Sequence, residues 1–348
     1  MPAQGAGGRV QTLSVVGAGA VGLSVGWRAA QAGWDVTVHD PAAARGASWV
    51  AGGMLAPLTE GWPGEESSLD LGLSSLRRWP VFADELGVAL MTAGTVVLGV
   101  DGADADELDN LAGWLAERGR DVTRLTRREL RSREPSLAGV RAALEVPGDW
   151  SVDNRELLAA LQARVPVSPD PVHSLDDLDT DQVVVCAGAA TAALLPGLPV
   201  RAVKGEILRL RVRPGALPPP TRTVRAVVHG RHVYLVPRVG GLVVGATTLE
   251  VGVDREVTLG GVRDLAADAE TVLPAVAEYG VISVDAGLRP GTPDNVPLIG
   301  RVDERTVVAA GHGRNGLLLS PLTADAVLAE LNGSPLEEAA AARPGRFT

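Results

Sequence analysis

Gly17, Gly19 and Gly22, set in the run Val16-Gly17-Ala18-Gly19-Ala20-Val21-Gly22, and Asp40 beyond them are spaced to hold a dinucleotide. Gly17 allows a tight turn, Gly19 lets backbone approach a pyrophosphate, and Gly22 lets the next helix pack closely on its strand. The free N–H groups at the helix N-terminus then face an anion. Asp40 falls where a carboxylate accepts both hydroxyls of an adenosine ribose, which implies a free 2′-hydroxyl and disfavours a 2′-phosphate. Ala18, Ala20 and Val21 complete this expected contact set. Three glycines alone would be weak evidence, but strand, glycine turn, helix, strand and terminal acid follow in order within about thirty residues.

A second chemistry is carried by arginine and the aromatic residues. Gly287-Leu288-Arg289-Pro290-Gly291-Thr292-Pro293-Asp294 reads as a turn in which Pro290 and Gly291 fix the backbone beside Arg289. A guanidinium held this way can grip a carboxylate with two parallel hydrogen bonds and so orient the α-carbon. In His232-Val233-Tyr234-Leu235-Val236-Pro237-Arg238, strand alternation puts His232 and Tyr234 on one face. Cys186, the only cysteine, ends an apolar run with no base near it in sequence and is expected to be a small core residue. His173, His229, His232 and His312 are scattered without ligand spacing, so no metal site is expected. No serine or cysteine nucleophile stands with a base.

The elements that must position these residues are legible in outline. Residues 13–16 read as a buried strand, 21–32 as a helix stopped by Gly33, and 36–38 as a second, parallel strand ending at Asp40. An amphipathic helix is expected over 69–86, alternating segments over 88–100, and a helix over 104–118 with Leu108, Leu111 and Leu115 on one face. The acids between Asp101 and Asp109 are expected on a solvated face. Thr126 and Glu129 form a capping box for a short helix ended by Pro135. Asp153 or Asn154 caps the next helix, and 183–189 is a buried strand ending in small residues. From 200 to 245 come strands at 207–212, 224–228, 232–236 and 242–244, spaced as an antiparallel sheet. One face of such a sheet can roof a ligand at a domain interface.

The 348 residues suffice for two domains with cores of their own. The net charge of −10 argues against a nucleic-acid partner, because phosphate backbones need a basic footprint. No apolar run approaches a membrane span. Residues 1–9 are small, without the apolar core of a secretory signal, and are expected as a frayed lead-in. A lone cysteine permits no internal disulfide and fits a reducing cytoplasm.

The long loop after Asp40 is rich in glycine and small residues, which suits backbone lying flat against a planar ligand. Its stretch Gly46-Ala47-Ser48-Trp49-Val50-Ala51-Gly52-Gly53-Met54-Leu55 resembles the flavin-contacting loop of the D-amino-acid oxidase and glycine oxidase family of FAD enzymes. The series Gly287 to Thr292, Pro297-Leu298-Ile299-Gly300 and Gly311-His312-Gly313-Arg314-Asn315-Gly316-Leu317-Leu318-Leu319 resembles the C-terminal signature of the same family. The resemblance spans about residues 13–331.

That resemblance implies an α/β fold with two parts. A discontinuous FAD-binding, Rossmann-like parallel-sheet domain would comprise residues 10–79, 140–199 and 285–348, and an antiparallel-sheet substrate domain 80–139 and 200–284. It implies non-covalent FAD, with Arg45 near the pyrophosphate, Ser48, Ala51, Gly52, Gly53 and Met54 along the ring, Val172, Ala187 and Gly188 at the nucleotide, and Gly316, Leu317 and Leu318 at the pyrimidine edge. A helix starting at Gly316 would lend its partly positive end to that edge. Arg289 would bind a substrate carboxylate, Tyr234 would border the substrate with His232 near it, and Arg314 would be a further pocket residue, with Met54 and Thr248 completing the pocket. Thr248 stands where some relatives carry a larger apolar residue, which leaves the substrate range open.

The activity so implied is oxidation of glycine and other small amines, such as sarcosine or D-alanine, to the imine or 2-oxo acid, ammonia and hydrogen peroxide. Oxygen would be the acceptor and thiazole synthase in thiamine synthesis a possible recipient of the imine. A homo-oligomer in the cytoplasm, with no nucleic acid or membrane as partner, is the expected setting. A D-amino-acid dehydrogenase, a sarcosine oxidase and a non-catalytic flavin-holding subunit remain as alternatives. Against the first stands the lack of a basic amphipathic anchor, and against the last the presence of Arg289 and Tyr234.

Overall fold

A computed structural model describes residues 9–43 and 45–347. Residues 1–8 of the expected lead-in, and Ala44 of the glycine-rich loop, lie outside the described residues. Two large sheets organise the rest. The first has six strands in the order Leu298–Arg301, Thr306–Ala310, Gln182–Val185, Thr12–Val16, Asp35–His39 and Val167–Ser168. Its neighbours are parallel except Leu298–Arg301, which runs antiparallel to Thr306–Ala310. The central strands Thr12–Val16, Gln182–Val185 and Thr306–Ala310 are mostly apolar and buried because both faces are covered. Helices Ala20–Gln31, Asn154–Gln162 and Ser320–Leu331 share one core through Leu23, Trp27, Leu157, Leu161, Leu322 and Val327. Val16, Val183 and Val185 pack instead against Leu175, Leu178 and Leu194.

The second sheet has eight strands, ordered Gly280–Gly291, Arg201–Arg211, Gly241–Gly245, Arg231–Arg238, Thr223–Val228, Thr95–Gly99, Ala142–Val146 and Thr123–Arg124. It is antiparallel as expected except where Thr223–Val228 pairs in parallel with Thr95–Gly99. One face buries Val224, Ala226, Val233, Leu235 and Val244 against Leu265, Ala269 and Val272 of helix Leu259–Val272. The other carries Ile207, Val236 and Val243, which pack on Val50 of the first body. Among the described residues no helix is long and apolar enough to cross a membrane.

Several local expectations need correction. The helix over 69–86 is two helices, Glu66–Leu76 and Trp79–Leu86; Pro80 sits in the first turn of the second, where its missing N–H would have no helical partner. Trp79, Phe82, Ala83, Leu86 and Val88 belong to the core beneath the first sheet, and Leu90 packs against it, so that core extends past residue 80. The stretch around Arg289 is not a turn. Strand Gly280–Gly291 pairs with Arg201–Arg211 along its length, with Arg289 opposite Val203, so a boundary at 285 would cut a continuous strand. Pro290 is tolerated because this is an edge strand. Asp104 is not on a solvated face: it is buried and accepts from the N–H groups of Val100, Asp101, His229 and Gly230.

Candidate active site

Where the two sheets face each other lies a cavity of about 530 Å³. Its nucleotide end is built by the first β-turn-α unit. Gly17 takes φ 110°, and a Cβ there would stand 2.4 Å from the carbonyl oxygen of Cys186. A Cβ on Gly22 would stand 1.9 Å from the carbonyl oxygen of Gly17, so Gly22 serves the packing of helix on turn and does not itself line the cavity. Gly17, Gly19, Ala20, Val21 and Asp40 line it. Asp40 is anchored by the N–H groups of Ala18 and Ala42, each 2.8 Å from one carboxylate oxygen. Two anchored oxygens retain lone pairs for ribose hydroxyls. Ala18 acts through this bond rather than as lining. Arg45, Ala187 and Gly188 also line the cavity, whereas Val172 does not and packs beside Val16, Val183 and Val185. Burial pushes the Cys186 thiol up, in keeping with a core residue.

The middle of the cavity is floored by residues 46–54, which include the short helix Ala47–Val50. Their carbonyls are held from behind. Asn154 Nδ2 donates to the carbonyls of Ser48 and Trp49 at 2.7 and 3.0 Å. Arg209 donates to those of Trp49 and Ala51 and to Asn154 Oδ1, and Arg238 to that of Gly52. Asp153 supplies the helix cap, accepting from the N–H groups of Arg155 and Glu156, which frees Asn154 for the loop. Ser48 Oγ accepts the N–H of Ala20 at 3.1 Å and ties this floor to the nucleotide end.

The sheet face forms the roof. Tyr234 is wedged between glycines: a Cβ on Gly52 would lie 2.6 Å and one on Gly245 2.4 Å from its ring. Burial raises its phenol pKa, against the pull of the Arg289 charge, so the hydroxyl stays protonated near neutrality. The Arg289 guanidinium lies over Gly205, where a Cβ would stand 2.4 Å from Nη2, and Nη1 donates to the Thr247 carbonyl at 3.1 Å. Burial lowers its pKa while Tyr234 raises it, yet among the described residues it has no carboxylate partner. Arg225 and Arg314, which also line the cavity, do: both pair with Glu60, and Arg314 also reaches Glu65 at 3.0 Å. Burial brings Arg225 down to about 10. His232 is 3.4 Å from Glu107 with its ring against Trp62; burial lowers its pKa, and Glu107 opposes this. Met54 and Thr248 line the same space.

At the far end Gly316 and Leu317 line the cavity, but Leu318 does not. Its carbonyl accepts from Ser75 Oγ and Trp79 Nε1, and its side chain is core. The helix expected from Gly316 begins at Ser320, after the short turn Gly313–Asn315. His312 is buried with Nε2 3.0 Å from Thr323 Oγ1, and burial brings it down to about 3. His229 is not isolated: Nδ1 lies 2.9 Å from Asp101, and with Asp104 the three could hold a cation geometrically. They are brought together across the fold by helix capping and by the turn at His229, a link that linear spacing cannot show.

Sequence reasoning missed Glu60, Arg225, Arg209, Arg238 and the role of Asn154. Two of them had a signal. Arg238 continues the alternation of His232 and Tyr234, and Arg225 faces Tyr234 in the antiparallel register.

The model of the DAO family, FAD dependent oxidoreductase, matches residues 13–331. The chain belongs to this family of FAD-dependent oxidoreductases. Relatives extend along nearly all of it. The thiamine biosynthesis oxidoreductase ThiO of Rhizobium etli is 35% identical over 333 residues, covering 92% of this chain and 96% of its own. The bifunctional protein ThiO/ThiG of Synechocystis sp. is 31% identical, matching 90% of this chain and 51% of its own length. The crystal structure of glycine oxidase from Geobacillus kaustophilus superposes with a TM-score of 0.87 at 29% identity, covering 96% of this chain and 98% of that one.

This DAO-family oxidoreductase has a cavity that fits FAD. A Cβ would fill the cradle at Gly17 and crowd the floor at Gly52, and Asp40 terminates the second strand where a ribose would lie. Gly17, Gly19, Ala20, Asp40 and Ser48 would hold the nucleotide, and the backbone of Gly52, Gly53 and Met54 the ring.

Proposed function

We propose that this chain oxidises glycine, and small amines such as sarcosine and D-alanine, to the imine and then the 2-oxo acid and ammonia, with oxygen reduced to hydrogen peroxide. Non-covalently held FAD supplies the hydride acceptor. The observation that carries this reading is Arg289, a half-buried guanidinium with no carboxylate partner among the described residues, beside Tyr234 and facing the cavity. A positive charge drawn partly out of water favours a counter-charge, and a substrate carboxylate meets that need. Arg289 then fixes one end of the amino acid while the protonated Tyr234 hydroxyl donates to the same carboxylate. Exclusion of water between floor and roof lowers the pKa of the substrate ammonium, so its proton leaves without a dedicated side-chain base. Met54 and Thr248 bound the space beyond the α-carbon.

Similarity to proteins named for glycine oxidation and thiamine biosynthesis supports the substrate class, and the ThiO/ThiG protein supports hand-off of the imine to thiazole synthase. We place the protein in the cytoplasm, which the single cysteine suits, and as a homo-oligomer. The test is anaerobic mixing of FAD-loaded protein with glycine, sarcosine and D-alanine in turn. Bleaching of the flavin absorbance by glycine is expected. Bleaching by none of the three would refute the proposal.

A further inference from the structure

Asp149 lies in the connection between strands Ala142–Val146 and Trp150–Val152 and does not line the cavity. It has no exposed surface. Its carboxylate accepts three hydrogen bonds, all from one short stretch of chain: the Leu58 N–H at 3.0 Å, the Thr59 N–H at 3.1 Å and the Thr59 hydroxyl at 2.5 Å. Burial pushes it up to about 6 even with these donors. A buried carboxylate is costly, so its recurrent donors mark what it holds. The next residue is Glu60, whose carboxylate pairs with Arg225 and Arg314 and whose carbonyl accepts from Arg314 Nη2 at 2.7 Å.

Of the guanidiniums of Arg225, Arg289 and Arg314, which line the cavity around Tyr234, two are paired with Glu60 and Glu65 and that of Arg289 is not. Further along the lining Arg201 pairs with Glu250 at 3.2 Å, and Arg255 lies exposed to solvent. We propose that Asp149 is a positioning residue for substrate selection: by pinning the Leu58–Thr59 turn it keeps Glu60 on Arg225 and Arg314, so that Arg289 alone takes a carboxylate and ligands with two carboxylates are disfavoured. This rests on Arg289 being the substrate anchor. A second carboxylate would meet guanidiniums already satisfied and the repulsion of Glu60. In Asp149→Asn the amide NH₂ confronts a backbone N–H, one contact is lost, and the turn loosens.

Acetate and malonate, non-reacting ligands with one and two carboxylates, are titrated calorimetrically into FAD-loaded wild type, Glu60→Gln, Asp149→Asn and the double variant. Malonate affinity relative to acetate should rise about tenfold in Glu60→Gln and severalfold in Asp149→Asn, as expected for release of a close charge pair. The double variant should match Glu60→Gln alone, since the two act in series. For Asp149→Asn the glycine KM should rise with kcat little changed. Should that variant fold poorly, Thr59→Val removes the hydroxyl donor and should shift the ratio in the same direction. An unmoved ratio in Glu60→Gln, or in both Asp149→Asn and Thr59→Val, overturns the proposal, as do additive effects in the double variant. Acetate affinity that survives Arg289→Ala would instead remove the anchor on which it rests.

Discussion

Arg225 and Arg289 are both half-buried guanidiniums on the same sheet face, and what separates them is the carboxylate each meets. Arg225 is neutralised by Glu60, whereas Arg289 is left with a carbonyl and a phenol. Histidines divide in a similar way. His232 stays exposed near Glu107, but His312 is enclosed and held near 3, so it is neutral in the folded chain at any ordinary pH. In the unfolded chain it regains a value near 6.5. The folded value is depressed, so protonation favours unfolding, and stability due to this residue falls as pH drops from 6.5 towards 3. The slope is up to ~1.4 kcal/mol per pH unit. Asp149, raised from 3.8 to about 6, acts in the opposite sense, its contribution being lost as pH rises through that window. It is common to wild type and variant and cancels in their difference. Denaturant unfolding of wild type and His312→Gln should therefore show a stability difference that shifts towards the variant below pH 6.5; a difference independent of pH would contradict the burial of a neutral imidazole.

At the level of elements, the loop over 46–54 shows how irregular backbone is made rigid. Its carbonyls are satisfied by Asn154, Arg209 and Arg238, which come from one helix start and two strands remote in sequence. Asn154→Leu keeps the branched shape but leaves the carbonyls of Ser48 and Trp49 and the Arg209 guanidinium short of partners, at a cost of about 1–3 kcal/mol. The expected outcome is a folded protein that loses FAD on dialysis, read from the ratio of flavin to protein absorbance. Full retention would show that the floor does not depend on Asn154. The glycine turn, the first helix and Asp40 were legible because turn, helix stop and ribose acid are local features with fixed spacing. The strand bearing Arg289 was misread as a turn because Pro290 and Gly291 are turn residues by local preference, and only its place at the sheet edge lets them stand in a strand. Asn154, Arg209 and Arg238 were illegible as a group because nothing local links a helix N-terminus to two strands.

Across the whole molecule, a parallel sheet supplies the nucleotide end, an antiparallel sheet supplies the roof, and the cavity between them is completed by neither alone. The cores of the two bodies are separate, and Val50 packing on Ile207, Val236 and Val243 is the apolar contact that sets their spacing at the floor. Within that spacing Tyr234 packs over the floor at Gly52 and Arg289, against Gly205, lines the same cavity, the arrangement on which the proposed oxidation rests. The most direct test is the affinity of FAD-loaded Arg289→Ala for glycine, measured beside its flavin content. The account predicts full flavin content and a KM raised at least about a hundredfold, the loss of a buried charge-assisted bidentate contact being worth roughly 3 kcal/mol or more. A variant that keeps its flavin and binds glycine as the wild type does would contradict it.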